Sequence, residues 1–168
     1  MAKIKAFRGI RFNEERFGAE IEALVAPPYD VIDDVEQDEL YARHPNNIVR
    51  LDLNREQDSD HPENNRYTRA RRHLMDWLAR GVLRVDDAPS IYVHHQTFSD
   101  GRGGQVTRRG FISLAGLAEY EEGIILPHER TLRGPKVDRL ELMKATECNL
   151  SQIFMLYDDP ESAIDNML

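Results

Sequence analysis

Residues 127–139, PHERTLRGPKVDR, bring together the side chains of this chain that are best suited to chemistry. Each of the three arginines in this segment can hold two oxygens of a phosphate or carboxylate, and Lys136 adds a compact positive charge. His128 can act as a general acid or base, because the unperturbed pKa of an imidazole is about 6.5. The segment has a charge of +2 in a chain whose net charge is −8. Two interpretations stay open: a site for a small anion, or a solvated connection into the next helix.

Two further polar stretches are candidate parts of a site. In APPYDVI, residues 26–32, the double proline builds a rigid extended corner, which either presents Asp30 to a ligand or is only structural. In ATECNLSQIF, residues 145–154, Asn149 and Ser151 either bind a ligand or cap the backbone where a helix ends and a strand begins.

Three other features give weaker signals. His94 and His95 are adjacent in a predicted strand, so their side chains point to opposite faces and do not readily bind one metal ion. DGRGG, residues 100–104, lies between two predicted strands and lacks the spacing of a phosphate-binding loop, which favours a plain turn. Cys148 has no second cysteine to pair with and is predicted to be a buried thiol. We therefore expect no metal site.

Three helices are predicted to support these residues. Between Tyr67 and Leu78, apolar residues recur at the spacing of one helical face, and Gly81 stands where a C-terminal cap belongs. A second helix is predicted to be capped by Asp33 or Asp34 and to run to Tyr41. The third is predicted from Pro135, so the basic segment would lead into its first turn, where free N–H groups favour an anion.

Alternating or β-branched segments predict the strands, and the middle of the chain reads as a hairpin around residues 99–105. A last strand, rich in apolar residues, is predicted to lie centrally in a sheet, and Pro160 is well placed to begin another helix. The predicted strands are residues 3–8, 47–53, 82–87, 90–98, 106–120, 123–126 and 151–159.

These elements predict an α+β fold, with a mixed, mostly antiparallel sheet, a central β-hairpin and flanking helices. A chain of 168 residues is long enough for one domain with a real core, and we interpret residues 1–168 as a single domain. A strand followed by a helix that has only just begun is an unusual place for a chain to stop. We therefore expect this sequence to be the N-terminal portion of a longer protein.

Composition narrows the class of protein. No apolar run reaches the roughly 18 residues that a membrane helix needs, and the N-terminus has no apolar signal core. A single cysteine suggests a reducing compartment, so we expect a cytoplasmic protein that does not bind membranes. The net charge of −8 argues against broad binding to nucleic acid, since neutralising phosphates supplies most of that affinity.

Four segments resemble one known family. They are AFRGIR, APPYDVI, HPNNIVRLDL and PHERTLRGPKVDRLELMKATECNLSQIFMLYDD. Together they are similar to the N-terminal part of the bacterial and archaeal family DUF1015, a domain of unknown function. Members of that family are typically longer, and their later part carries an Asp-Gly-His-His-Arg motif that resembles ParB-like proteins and free-serine kinases. That motif is absent from this chain.

The resemblance implies that the protein binds a phosphorylated small molecule or a nucleotide, and that the full-length protein is a serine-kinase-like phosphotransferase using ATP or ADP with Mg²⁺. The basic residues would hold phosphate oxygens, His128 or Asp138 would orient a hydroxyl, and Asp30 would contact a metal–nucleotide complex. Alternatives are a ParB-like, nucleotide-regulated DNA-associated protein and a non-catalytic interaction module, and a homo-oligomer stays open. The anion-binding set is Arg130, Thr131, Arg133, Lys136, Arg139, Asn149 and Ser151.

Overall fold

The computed structural model describes residues 2–127 and 133–167, with only the backbone of residue 133. Internal contacts divide the chain into two compact units, which are described separately. One unit contains residues 10–85 and the described part of 129–151, and the other contains the described residues of 1–9, 86–128 and 152–168. Whether both belong to a single domain stays a prediction.

The described elements combine short helices and strands with two longer helices, Arg66–Ala79 and Arg133–Thr146. In order they are β1 (Ile4–Lys5), β2 (Ile10–Phe12), α1 (Glu14–Phe17), α2 (Ile21–Leu24), α3 (Asp34–Arg43), α4 (Val49–Asp52), α5 (Arg66–Ala79), β3 (Leu83–Val85), β4 (Tyr92–Ser99), β5 (Gln105–Ile112), β6 (Leu114–Ala115) and α6 (Arg133–Thr146), with 3₁₀ turns at Gly18–Glu20, Tyr29–Val31 and Tyr120–Glu122.

The core of the helical unit forms around α5, as the apolar spacing predicts. Leu74 and Trp77 are buried and pack with Leu51, Val82 and Leu83. The helix starts where its sequence dictates, because the Asn65 side chain accepts hydrogen bonds from the amides of residues 67 and 68. It ends before Gly81, whose φ of +65° suits a residue without a side chain. The prediction for this helix is confirmed.

The helix predicted after APPYDVI is also confirmed. Asp33 is its N-cap, and the Asp33 carboxylate accepts a hydrogen bond from the backbone N–H of Glu36 at 2.8 Å. The helix buries Leu40 and runs two residues past the predicted end at Tyr41, to Arg43. The 3₁₀ turn Tyr29–Val31 follows Pro27 and Pro28 and leads into the cap. The double proline thus produces a corner directly before α3.

The strand predicted over residues 47–53 is wrong, because Val49–Asp52 forms the short helix α4. Its first turn is fixed by Asn47, whose side-chain oxygen accepts from the Val49 amide at 3.0 Å while its NH₂ donates to the carbonyls of Ala23 and Val25 at the end of α2. Val49 and Leu51 are both buried, since the turn packs between α3 and α5. An alternating pattern therefore arose from burial on two sides of a helical turn.

The other unit is built from antiparallel pairs. Strands β4 and β5 form the predicted hairpin, in continuous register from Tyr92 opposite Ile112 to Ser99 opposite Gln105. The long strand predicted over 106–120 is interrupted after Ile112, and β6 pairs with β1 instead. Among the described residues, no buried apolar side chain lies in this unit, so its strands are largely exposed.

Three predicted elements near the C-terminal side are wrong. Residues 123–126 follow a 3₁₀ turn as a bend, and residues 151–159 form no strand ladder with any described strand. Strand propensity alone cannot supply a partner, so Ile153 and Leu156 stay 82% and 86% exposed. From Pro160 the described chain forms turns, held by the Asp159 carboxylate on three backbone amides, because so short a segment lacks packing support for a helix.

The α+β fold class is confirmed, since the described chain combines helices, a β-hairpin and antiparallel pairing; its described strands form three separate two-stranded sheets rather than one mixed sheet. Strand β2 pairs with β3 and thereby closes the helical unit beside α5. Within the described residues, no helix has the length and apolar character needed to cross a membrane.

Candidate functional site

Arg139, in the second turn of α6, is held by partners from three other parts of the helical unit. Its guanidinium donates to the Asp52 carboxylate at 2.7 Å and to the Asp52 carbonyl at 2.9 Å, at the end of α4. The same group lies 3.8 Å from the centre of the Tyr29 ring. Ser151 completes this side by donating to the Asp52 carboxylate at 3.0 Å. Arg139 therefore joins α4, α6 and the corner after the double proline.

Asp138, the neighbour of Arg139 on α6, accepts hydrogen bonds from two elements. Arg66 donates to it at 2.6 Å and the Tyr67 hydroxyl at 2.9 Å, both from the first turn of α5. Arg139 adds contacts of 2.8 and 2.5 Å to the other carboxylate oxygen. With about four-fifths of the Asp138 side chain buried, these bonds tie α5 to α6.

This environment lowers the pKa of Asp138. Partial burial by itself raises the pKa of the carboxyl, but the hydrogen bonds from Arg139 and Tyr67, and the charges of Arg139 and Arg66, outweigh burial. A carboxylate with a lowered pKa is a weak base, so an orienting role suits Asp138 better than proton abstraction. Its predicted catalytic role stays a prediction.

The carboxylates and cations leave little space between them. A void of ≈10 Å³ lies within this network, about the volume needed for one water molecule. A phosphate group could reach the Arg139 guanidinium only by displacing Asp52 or Asp138. The prediction that Arg139 holds a phosphate is untested. The described contacts show instead that Arg139 holds the ring of Tyr29 in position.

A larger cleft opens beside the network. Its volume is ≈290 Å³, and its wall is formed by the turn before α3, the start of α3, the chain after α4 and the first residue of α5. The charged side chains of the wall are three carboxylates and one guanidinium. The lining residues are Tyr29, Ile32, Asp33, Asp34, Gln37, Leu53, Asn54, Glu56 and Arg66.

Some polar groups of the cleft already have hydrogen-bond or ion-pair partners, and others do not. Arg66 donates to Glu56 at 2.9 Å and to Asp138, so its guanidinium is held from both sides. Gln37 donates its NH₂ to the Leu53 carbonyl at 2.9 Å, which leaves its side-chain oxygen able to accept. The side chain of Asp34 has no hydrogen bond or ion pair to another described residue. The cleft therefore offers an unpaired carboxylate at Asp34, together with a side-chain oxygen and one N–H of Gln37.

The predicted site residues that are described fall into two sets. Arg139, Asp138 and Ser151 are brought together in the network, whereas Asn149 is exposed in the chain after α6. Lys136 is exposed in the first turn of α6 and has no ion-pair partner among the described residues.

Asp30 is exposed on the same turn as Tyr29 and does not line the cleft. His128, Arg130 and Thr131 lie outside the described residues, and for Arg133 only the backbone at the start of α6 is described. The predicted roles of all these residues stay predictions.

The described residues offer no metal centre, since none of their His, Cys, Asp and Glu side chains forms a group of three that could hold an ion. His94 and His95 lie opposite Gly110 and Arg109 in the hairpin. Cys148 is half-buried against the core, and burial, followed by the nearby Glu147 charge, raises the pKa of its thiol. A raised pKa keeps the thiol protonated and unreactive.

Sequence reasoning missed Asp52, Arg66, Tyr67 and Tyr29 as members of the site. A signal for two of them was present, because APPYDVI contains Tyr29 and HPNNIVRLDL contains Asp52. In the structure both contact Arg139, which belongs to the last of the four segments that carry the family resemblance. The other two lie in the first turn of α5, a place that periodicity identifies only as a helix start.

A family model described as "Protein of unknown function (DUF1015)" matches residues 4–168 of the chain. No curated protein and no solved structure matches it.

Proposed function

The chain belongs to the DUF1015 family of proteins of unknown function, and from this membership we propose that it binds a nucleotide or another phosphorylated small molecule. The observation that carries the proposal is a cleft of ≈290 Å³ whose wall includes Arg66, the ion-pair partner of Asp138 in the second turn of α6. Ligand sites in proteins are concave and carry a few placed polar groups, and the cleft has both properties.

The second turn of α6 is linked to the cleft, because Asp138 contacts Arg66, which lines the cleft. The helix begins at residue 133, so its first backbone N–H groups lie about 7.5 Å or less from Asp138 along the helix axis. Those N–H groups and Lys136 favour an anion. The basic residues Arg130 and Arg133 precede them in the sequence and add to the positive charge.

The charges of the protein would direct the phosphate end of such a ligand away from the cleft and leave its other end there. Asp33, Asp34 and Glu56 repel phosphate from the cleft, whereas the start of α6 attracts it. In this arrangement phosphate oxygens contact Lys136, Arg130 and Arg133, and Arg139 keeps the wall of the cleft in place. Thr131, Asn149 and Ser151 supply hydrogen bonds, and Asp30 contacts the metal of a metal–nucleotide complex.

For the intact protein we propose phosphotransferase activity of the serine-kinase type, with ATP or ADP and Mg²⁺. Phosphoryl transfer depends mainly on positioning and on stabilising negative charge, which a basic helix start can supply. His128 or Asp138 would orient the accepting hydroxyl. The single cysteine supports the proposal of a cytoplasmic location.

Thermal unfolding of the 168-residue chain with a series of phosphate compounds tests the binding. ATP, ADP and inorganic tripolyphosphate, each with Mg²⁺, are expected to raise the Tm, because a ligand that binds only the native state stabilises it. Lys136→Ala is expected to remove most of the shift. Lys144→Ala is the matched control, since Lys144 is exposed near the other end of α6 and pairs only with Glu141 among the described residues.

An unchanged Tm with every compound would contradict the proposal, as would equal shifts for the two lysine variants. The second candidate, a non-catalytic interaction module, would then be preferred. One observation favours that candidate: Ile153, Phe154 and Leu156 are exposed side by side in the described structure. Its partner would be another protein surface or a second copy of this chain.

A further inference from the structure

We propose that the cleft beside Tyr29 takes the base of the nucleotide and prefers a base with an exocyclic amino group, as adenine and cytosine have. The inference rests on the proposed function and deepens it, because it places the base in the cleft and the phosphates outside it. It is carried by the Tyr29–Arg139 stack, the hydrogen-bond inventory of the wall and the volume of the cleft.

Tyr29 offers a fixed aromatic surface. The Arg139 guanidinium covers one face of its ring at 3.8 Å, and Asp52 and Asp138 hold that guanidinium in place. Tyr29 also lines the cleft, and in this proposal the base stacks there on the ring face that Arg139 leaves free. A flat base gains by stacking on an aromatic ring that is already ordered.

The charge behind the ring favours a neutral partner. An ammonium group placed over the free face of Tyr29 would be attracted by the ring but repelled by the Arg139 guanidinium on the other side. A neutral planar base does not meet this repulsion. The stack by itself therefore favours a neutral base over a simple amine, whereas the carboxylates of the cleft act in the opposite direction, because they attract an ammonium group more strongly than a neutral base.

The hydrogen-bond inventory selects the kind of base. The strongest donor of the wall is used, because Arg66 pairs with Glu56 and Asp138, while the side-chain amides of Asn54 and Gln37 each donate one N–H to a backbone carbonyl and keep a second. The carboxylates of the wall can only accept, and that of Asp34 has no partner among the described residues. A ligand must bring donors to pair with them, and an exocyclic amine or a sugar hydroxyl does so, whereas a carbonyl in the same position does not.

The cleft is large enough for only part of a nucleotide. A volume of ≈290 Å³ lies at the lower end of the range of about 300–1,000 Å³ that small-molecule sites cover. It suits a base with part of its sugar and leaves no room for a triphosphate. The phosphate chain would have to leave the cleft, and the start of α6 is the nearby positive end.

Calorimetric titration of the 168-residue chain with nucleosides, which have no phosphate, tests the base subsite alone. Adenosine is expected to bind about tenfold more tightly than inosine, and cytidine than uridine, since each pair differs by an amino group against a carbonyl. Tyr29→Leu is expected to weaken adenosine binding by about tenfold through lost stacking, and Tyr29→Phe to retain it. Tyr120→Leu, at a tyrosine 63% exposed in the other unit, is the matched control.

Equal affinities within the pairs would overturn the inference, as would tighter binding of an alkylamine than of any nucleoside, or no nucleoside binding at all. The wild-type comparison decides the matter even if Tyr29→Leu fails to fold. Inorganic tripolyphosphate separates the two proposals: if it still binds and needs Lys136 while nucleosides are not discriminated, the proposed function survives and the base subsite does not.

Discussion

Arg139 lies between two carboxylates and an aromatic ring. These contacts explain why a basic residue of the segment 127–139 is largely buried. Its side chain is only 19% exposed, and those of Asp52 and Asp138 are 17% and 18% exposed. Removing one partner of such a cluster leaves the others buried without compensation. Arg139 therefore has a structural role whether or not a phosphate also reaches it.

Arg139→Ala is expected to lower the free energy of unfolding by about 2–4 kcal/mol, because Asp52 loses its guanidinium partner. Arg139→Lys should recover part of this loss, since a lysine keeps the charge but not the paired geometry or the stacking. Urea unfolding followed by circular dichroism measures both. Arg80→Ala, which breaks an exposed pair with Asp76, should cost less than about 1 kcal/mol. A loss for Arg139→Ala no larger than for Arg80→Ala would contradict the structural role.

Helix α5 is the element that positions the site and the core together. Its buried face carries Leu74 and Trp77, and its first turn carries Arg66 and Tyr67 into the network with Asp138. The core residues and the network residues keep fixed positions relative to one another only if the helix begins at a defined residue. Asn65 determines that start through a capping box with Thr68.

Asn65→Ala is expected to cost about 1–2 kcal/mol of stability, because the amides of residues 67 and 68 lose their acceptor. Asn65→Asp keeps an acceptor and should stay within about 0.5 kcal/mol of the wild type. The midpoints of urea unfolding give both values. Similar losses for the alanine and aspartate variants would show that the NH₂ contacts of Asn65 to residues 61 and 62, rather than the cap, stabilise this region.

Across the whole chain, burial is unevenly distributed. All the buried apolar residues that are described lie in the unit of α3, α4, α5 and α6, around Trp77. His73 lies on α5 beside Trp77, at 6.0 Å between ring centres. Burial first, and then the charge of Arg50, lower the pKa of His73 below its usual 6.5, although Asp76 acts in the opposite direction. The stability of the core is thereby linked to pH.

The sign of that link follows from proton binding. Below pH 6.5 the unfolded chain protonates His73, while the folded chain does so only at a lower pH, so the unfolded state binds more protons in that interval. The contribution is fully present above pH 6.5 and decreases as pH falls toward the folded pKa. The urea midpoint of the wild type is expected to decrease when the pH is lowered from 7 to 5, and that of His73→Gln is expected to decrease less. Parallel curves for the two proteins would assign the pH dependence to other groups.

Local patterns of the sequence were sufficient to predict α3, α5, α6 and the β4–β5 hairpin, and with them the α+β class. Caps such as Asp33, apolar spacing along α5 and a glycine-rich turn between two strands act over a few residues, so a sequence contains them directly. The charge of residues 127–139 and the family resemblance indicated where a site should be sought.

Tertiary structure alone decided which residues meet. Alternation predicted a strand at residues 47–53, but packing on two sides and the Asn47 hydrogen bonds make α4 a helix, which brings Asp52 to Arg139. Strand propensity in residues 151–159 could not show whether a partner strand is present. The cleft beside Tyr29 likewise depends on contacts between residues more than a hundred positions apart. Such long-range contacts depend on how the elements pack, and no local pattern specifies them.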